Sequence, residues 1–148
     1  MNNEFLYNGI LYLYNNLEFM VLFLVGLTTV TCFINLYQKK SSSFNLRLSL
    51  LTLIMSFIFS IFGLLIFFTN LFNDYLKTSS SMVSYTGYDS VYSLTKHILN
   101  LFGLILITIG WSLYKKHSSI TKKNLRLGIF YLLGFLILYF NFEMLNFF

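Results

Sequence analysis

The 148-residue chain contains no proline and, read through, no alanine. Both are ordinarily common in membrane helices. Both also have GC-rich codons, whereas the abundant residues here (Phe, Leu, Ile, Asn, Tyr, Lys) have AT-rich ones, and Arg occurs only at Arg47 and Arg126. The absences therefore read as coding bias and not as structural demand. They point to a strongly AT-rich genome; a mitochondrial genome is the commonest source of small, extremely hydrophobic proteins, with an AT-rich endosymbiont or a virus as alternatives. Without proline there is no kink signal, so unbroken helices are expected. A single cysteine, Cys32, lies inside an apolar run. It excludes an internal disulfide and a cysteine-based metal site, and is expected to be a small packing residue. Charge is scarce as well, at 10% of residues against about 25% in soluble domains. Glu4 is the only charge in the first 17 residues, so the start lacks both an Arg-rich presequence and a basic secretory region. Nothing there reads as cleavable, and Met1 is expected in the mature protein.

What is present is apolar. Hydrophobic residues make up 57% of the chain and aromatic residues 20%, with a mean hydropathy of +0.71. Such a chain cannot cover its own surface with polar groups, whereas lipid accepts Phe anywhere and Tyr at its boundary. Uncharged runs cover Phe19 to Gln38, Leu48 to Asn73, Ile98 to Tyr114 and Leu127 to Phe142, and about 20 helical residues cross the hydrocarbon core. The expected fold is an all-α integral membrane protein, one membrane domain over residues 1–148. Four transmembrane helices, spanning about 19–38, 48–73, 97–114 and 127–146, form two antiparallel hairpins. Residues 1–17, with their asparagines and tyrosines, suit an interfacial helix or an extension of the first span.

Charge asymmetry sets the expected orientation. Lys39, Lys40 and Arg47 follow the first span, and Lys115, Lys116, Lys122, Lys123 and Arg126 follow the third. All five acids (Glu4, Glu18, Asp74, Asp89, Glu143) fall on the opposite side, with only Lys77 and Lys96. Both termini and the loop 74–96 are therefore expected outside, in the intermembrane space if the protein is mitochondrial, and the basic loops in the matrix. Within the outer loop, residues 77–89 are rich in serine and tyrosine and read as an ordered or partner-bound segment.

The two basic loops also resemble each other. Asn45-Leu46-Arg47-Leu48 recurs as Asn124-Leu125-Arg126-Leu127, and at an offset of 77 Gly26, Leu27, Thr31, Leu36 and Tyr37 align with Gly103, Leu104, Thr108, Leu113 and Tyr114. This reads as a tandem hairpin repeat of parallel type, with chance matching in a low-complexity sequence as the alternative. The eight loop cations are candidate ligands for anionic lipid head groups such as cardiolipin; the competing reading is that they only set topology.

Candidate chemistry is sparse. Glu18 and Glu143 sit near the outer boundary as interfacial anchors or, less simply, as proton-uptake carboxylates. His97 could ligate haem, but a second histidine at its depth is missing, because His117 lies in the opposite loop. In the second span Ser49, Thr52, Ser56, Ser60 and Gly63 recur at helical spacing as one small, weakly polar stripe, which reads as a helix-packing face in preference to a pore lining. Asn100, Gly103 and Gly110 share a similar face of the third. No nucleotide loop, nucleophile with a paired base or carboxylate pair is present, so neither catalytic residues nor a cofactor are expected, and nothing marks a nucleic-acid partner.

In composition the chain resembles a mitochondrially encoded hydrophobic subunit of a respiratory-chain complex, of the kind found in ciliate-like protists. Asp89-Ser90-Val91-Tyr92, an apolar run and Gly110-Trp111-Ser112-Leu113-Tyr114 are similar to the last helix of the subunit-6 family of NADH dehydrogenase, whose members have five spans. The two hairpins with basic matrix loops resemble hypoxia-induced-gene-1-type proteins associated with cytochrome oxidase, without that motif's glutamine-rich part. The resemblance implies a structural, non-catalytic inner-membrane subunit that packs against other subunits and binds phospholipid. The alternatives are a divergent core subunit of a proton-pumping NADH:ubiquinone oxidoreductase, or an independent small transporter or channel.

Overall fold

The computed structural model describes the backbone of residues 3–39, 43–80, 88–116 and 119–144, with side chains for 9, 10, 12–39, 43–69, 95–116 and 119–142. It is all-helical: α1 Asn3–Tyr37, α2 Ser43–Ser80, α3 Tyr88–Lys116 and α4 Ile120–Met144. Stretches of 26, 27, 22 and 23 residues within them (Tyr12–Tyr37, Ser43–Thr69, Thr95–Lys116, Ile120–Phe142) are long and apolar enough to cross a membrane.

The helices outrun the spans drawn from charge. α1 continues without a break through residues 3–17, and α2 runs on to Ser80 past Asp74 and Lys77. Most of the stretch expected as a loop, 74–96, is therefore helical, since α3 already starts at Tyr88. The physical reason is that a charge ends a lipid-facing span without ending a helix; Asp and Lys cost little in a solvated helix. Residues 81–87, the centre of the segment singled out for partner contact, lie outside the described residues.

Helix ends follow local chemistry. After Tyr37 the amide of Gln38 still bonds Ile34 O at 3.0 Å, but that of Lys39 bonds Leu36 O at 3.2 Å, and Lys39 sits in the left-handed region at φ 51°. This is the usual way for a helix to stop, here with lysine in the place glycine normally takes. At the start of α4 the Lys123 amide bonds Ser119 O at 3.0 Å, which puts a favoured capping residue at the helix entrance.

Each helix packs on two others, α1 and α3 each lying against both α2 and α4. Tyr14 stacks on Phe59, Thr28 meets Thr52 and Thr31 meets Asn45, so numbers fall along α2 as they rise along α1. The same holds for α3 and α4, where Gly103 lies against Leu138 and Gly110 against Phe130 and Tyr131. At these glycines the backbones come close. A Cβ on Gly110 would lie 2.8 Å from Phe130 Cβ, and one on Gly134 3.0 Å from Ile107 Cγ1.

The core is small: Val21, Val25, Ile107, Leu127 and Tyr131 are fully enclosed. Large apolar side chains, Phe19, Phe23, Phe68, Phe102 and Phe140 among them, point outward, while Thr28, Asn45, Ser49 and Thr52 are completely buried. This arrangement is inside-out for a water-soluble bundle. It is the one expected where the surroundings are hydrocarbon and polar side chains must find partners between helices.

Candidate functional site

Polar side chains gather in two layers, one at each end of the bundle. The first lies near the basic loops. Thr52 donates to Leu48 O at 2.8 Å and its hydroxyl lies 2.8 Å from that of Thr28, which in turn contacts Leu24 O at 2.7 Å. Thr31 donates to Asn45 Oδ1 at 3.1 Å, and Asn45 Nδ2 reaches the Cys32 sulfur at 3.5 Å. From α4 the Tyr131 hydroxyl donates to Ser49 O at 2.9 Å. Every group named here is neutral; Thr28 and Thr52 contact carbonyls of their own helices as well as each other, while Thr31, Asn45 and Tyr131 reach across to a neighbouring helix.

The second layer, at the other end, is charged and draws on all four helices. Lys96 Nζ on α3 lies 3.3 Å from Glu18 Oε2 on α1 and 5.2 Å above the Tyr14 ring. Asn100 donates to the Tyr14 hydroxyl at 3.0 Å; Asn141, on α4, donates to Asn100 Oδ1 at 2.6 Å and to Lys96 O at 3.2 Å. α2 contributes Phe59, stacked on Tyr14 at 4.9 Å, and Phe67, edge-on to His97 at 5.3 Å. Gly63 makes room for His97, since a Cβ there would lie 3.3 Å from its Nδ1. Among the described residues, two buried atoms in this half of the bundle have no hydrogen-bond partner, Glu18 Oε1 and Ser60 Oγ.

Glu18, expected from sequence near the outer boundary, has its side chain turned into the bundle, 5% exposed. Lys96, counted there as a loop charge, lies on α3 with its side chain only 12% exposed. Glu143 and His117 lie outside the residues whose side chains are described. His97 is enclosed by aromatic rings, and among the described residues no three His, Cys, Asp or Glu side chains come together as a metal site would require.

Ser49, Thr52, Ser56, Ser60 and Gly63 are all buried, as are Gly103 and Gly110. Gly134, the partner of Gly103 across the α3–α4 contact, escaped notice because a glycine in an apolar run carries no chemical signal of its own. Asn141 was missed too, although a single asparagine inside Leu127 to Phe142 was a legible signal.

Of the loop cations, Lys39, Arg47, Lys115, Lys116 and Lys122 are exposed and Lys123 and Arg126 half-buried, while Lys40 is not described. Lys115 lies 5.1 Å over Trp111, and Lys123 5.7 Å over Tyr114. The two rings stack at 6.2 Å, so α3 ends in an aromatic platform fringed by ammonium groups. Such a fringe is suited to a membrane–water boundary. No protein-family model, curated protein or solved structure matches the chain.

Proposed function

We propose that the chain is a structural, non-catalytic transmembrane subunit of a respiratory-chain complex in the mitochondrial inner membrane. The observation that carries this reading is the allocation of polarity. Among the described residues, nearly every buried polar side chain in the spans holds one helix to another or to its own backbone, Glu18 Oε1 and Ser60 Oγ excepted, and the outward faces are apolar and rich in phenylalanine. A bundle of this kind offers its surroundings contact area, not a reaction site. The coding bias against alanine, proline and arginine adds the mitochondrial part of the reading.

In this reading the chain forms two hairpins with both termini in the intermembrane space. The basic loops face the matrix and take anionic phospholipid, cardiolipin in particular, on Lys39, Lys40, Arg47, Lys115, Lys116, Lys122, Lys123 and Arg126. A tandem origin finds support in the second helix of each pair. Asn45, Leu48, Thr52 and Phe59 are buried, and so are Asn124, Leu127, Tyr131 and Leu138, each 79 positions on. The first helices do not share a register, for Tyr37 is 91% exposed and Tyr114 6%.

Solubilisation in mild detergent, native-gel separation and mass spectrometry test the proposal. It expects co-migration with NADH dehydrogenase or cytochrome oxidase; migration alone overturns it. Modification of Lys39 or Lys122 by an impermeant reagent from the intermembrane-space side would overturn the orientation. A second reading, a divergent core subunit of proton-pumping NADH:ubiquinone oxidoreductase, gains from one feature, the Glu18–Lys96 pair buried within the spans. It expects Glu18→Gln to lower protons pumped per electron in a complex that still assembles, whereas the structural reading leaves that ratio unchanged.

A further inference from the structure

The hydroxyls along α2 behave alike until Ser60. Ser49 donates to Leu46 O at 3.0 Å, Thr52 to Leu48 O at 2.8 Å and Ser56 to Thr52 O at 2.8 Å. A bond back to a carbonyl of the preceding turn is open to any helical serine, yet Ser60, 7% exposed, leaves its Oγ buried and unpartnered. Its side chain instead lines a cleft between α2 and α3 whose other walls are Gly63, Leu64, His97, Asn100 and Leu101. The missing Cβ of Gly63 turns the Nδ1 edge of His97 toward α2, one turn along the same face from Ser60. The cleft offers about 10 Å³, the scale of one water molecule, and a buried water needs about two to four polar partners. Ser60, His97 and Asn100 are three.

We propose that this cleft binds a single water molecule, which bridges Ser60 Oγ to the His97 ring, with the Asn100 amide as a third partner. Ser60 then forgoes its own backbone bond because the water supplies a better one. At this point the α2–α3 seam is closed through solvent. Asn100 links the site to the Tyr14, Asn141 and Lys96 network by the bonds described above. This inference does not depend on which complex the chain joins.

The test uses the full chain, labelled with nitrogen-15 histidine and reconstituted in phospholipid nanodiscs. Magnetisation transfer from water to the two imidazoles is read by NMR, and a His117→Gln variant assigns the signals. Transfer to His97 is expected in the wild type and is expected to lose most of its intensity in Ser60→Ala. Because a hydroxyl that holds a water stabilises while an unpartnered one destabilises, Ser60→Ala is also expected to lower Tm by a few degrees. No transfer to His97 in the wild type overturns the proposal. So does a Ser60→Ala variant with undiminished transfer, or one whose Tm rises.

Discussion

The two polar layers solve one problem by opposite means. Near the basic loops the buried groups are short and neutral, and Thr28, Thr52 and Ser56 bond carbonyls of their own helices. Those three keep a partner whether or not a neighbour is present, although Asn45 and Tyr131 in the same layer do reach across to α1 and α2. At the far end Glu18, through Oε2, Lys96, Tyr14, Asn100 and Asn141 reach across the bundle and partner one another. That network exists only when the helices are assembled, so it responds as a unit, whereas hydroxyls such as Thr52 and Ser56 keep a bond within their own helix.

The sharpest way to break this contrast is Lys96→Met, which leaves the Glu18 carboxylate buried without its partner. A loss of about 3–5 kcal/mol is expected, read by denaturant titration of the protein in detergent micelles. Glu18→Gln combined with Lys96→Met should recover a large part of it; a double variant as unstable as the single would show that the pair is not a coupled unit. Next comes Asn141→Leu, which removes the donor to Asn100 Oδ1 and is expected to cost about 1–3 kcal/mol. Toward the neutral end, Gly110→Ala sets a Cβ against Phe130 and should cost about 1–3 kcal/mol through overpacking, with cysteine cross-linking between α3 and α4 slowed. Smallest is Thr52→Val, expected at roughly 0.6 kcal/mol, the mean value of a hydrogen bond between membrane helices. If Thr52→Val destabilised as much as Asn141→Leu, the distinction between the layers would fail.

The α2 packing stripe was legible in the sequence and the charged pair was not, for a physical reason. Ser49, Thr52, Ser56, Ser60 and Gly63 repeat with the helical period, so one face can be read without knowing its partners, among them Thr28 and Tyr131. Glu18 and Lys96 are separated by 78 positions, and no periodicity links them. Each reads as the end of a span because an isolated charge is costly in hydrocarbon, and the sequence carries no sign that the two meet on neighbouring helices. The count of four apolar helices followed from composition and run length alone. Their true lengths did not, since α2 passes Asp74 and Lys77 before it stops at Ser80.

The Glu18–Lys96 contact also bears on how the protein is made. A chain built from its N-terminus delivers α1 to the bilayer well before α3. At ~5–20 residues per second, the 78 positions between the two residues correspond to an interval on the order of ten seconds. Over that interval Glu18 has no cation at its own depth, because the first one in the chain, Lys39, lies about 30 Å further along the helix. The apolar residues of α1 must hold it in place against a carboxylate that would cost about 2.5–3.5 kcal/mol at the centre of a span and less toward its end, where Glu18 lies. The first helix is thus inserted provisionally, and its depth is fixed only when the third one arrives.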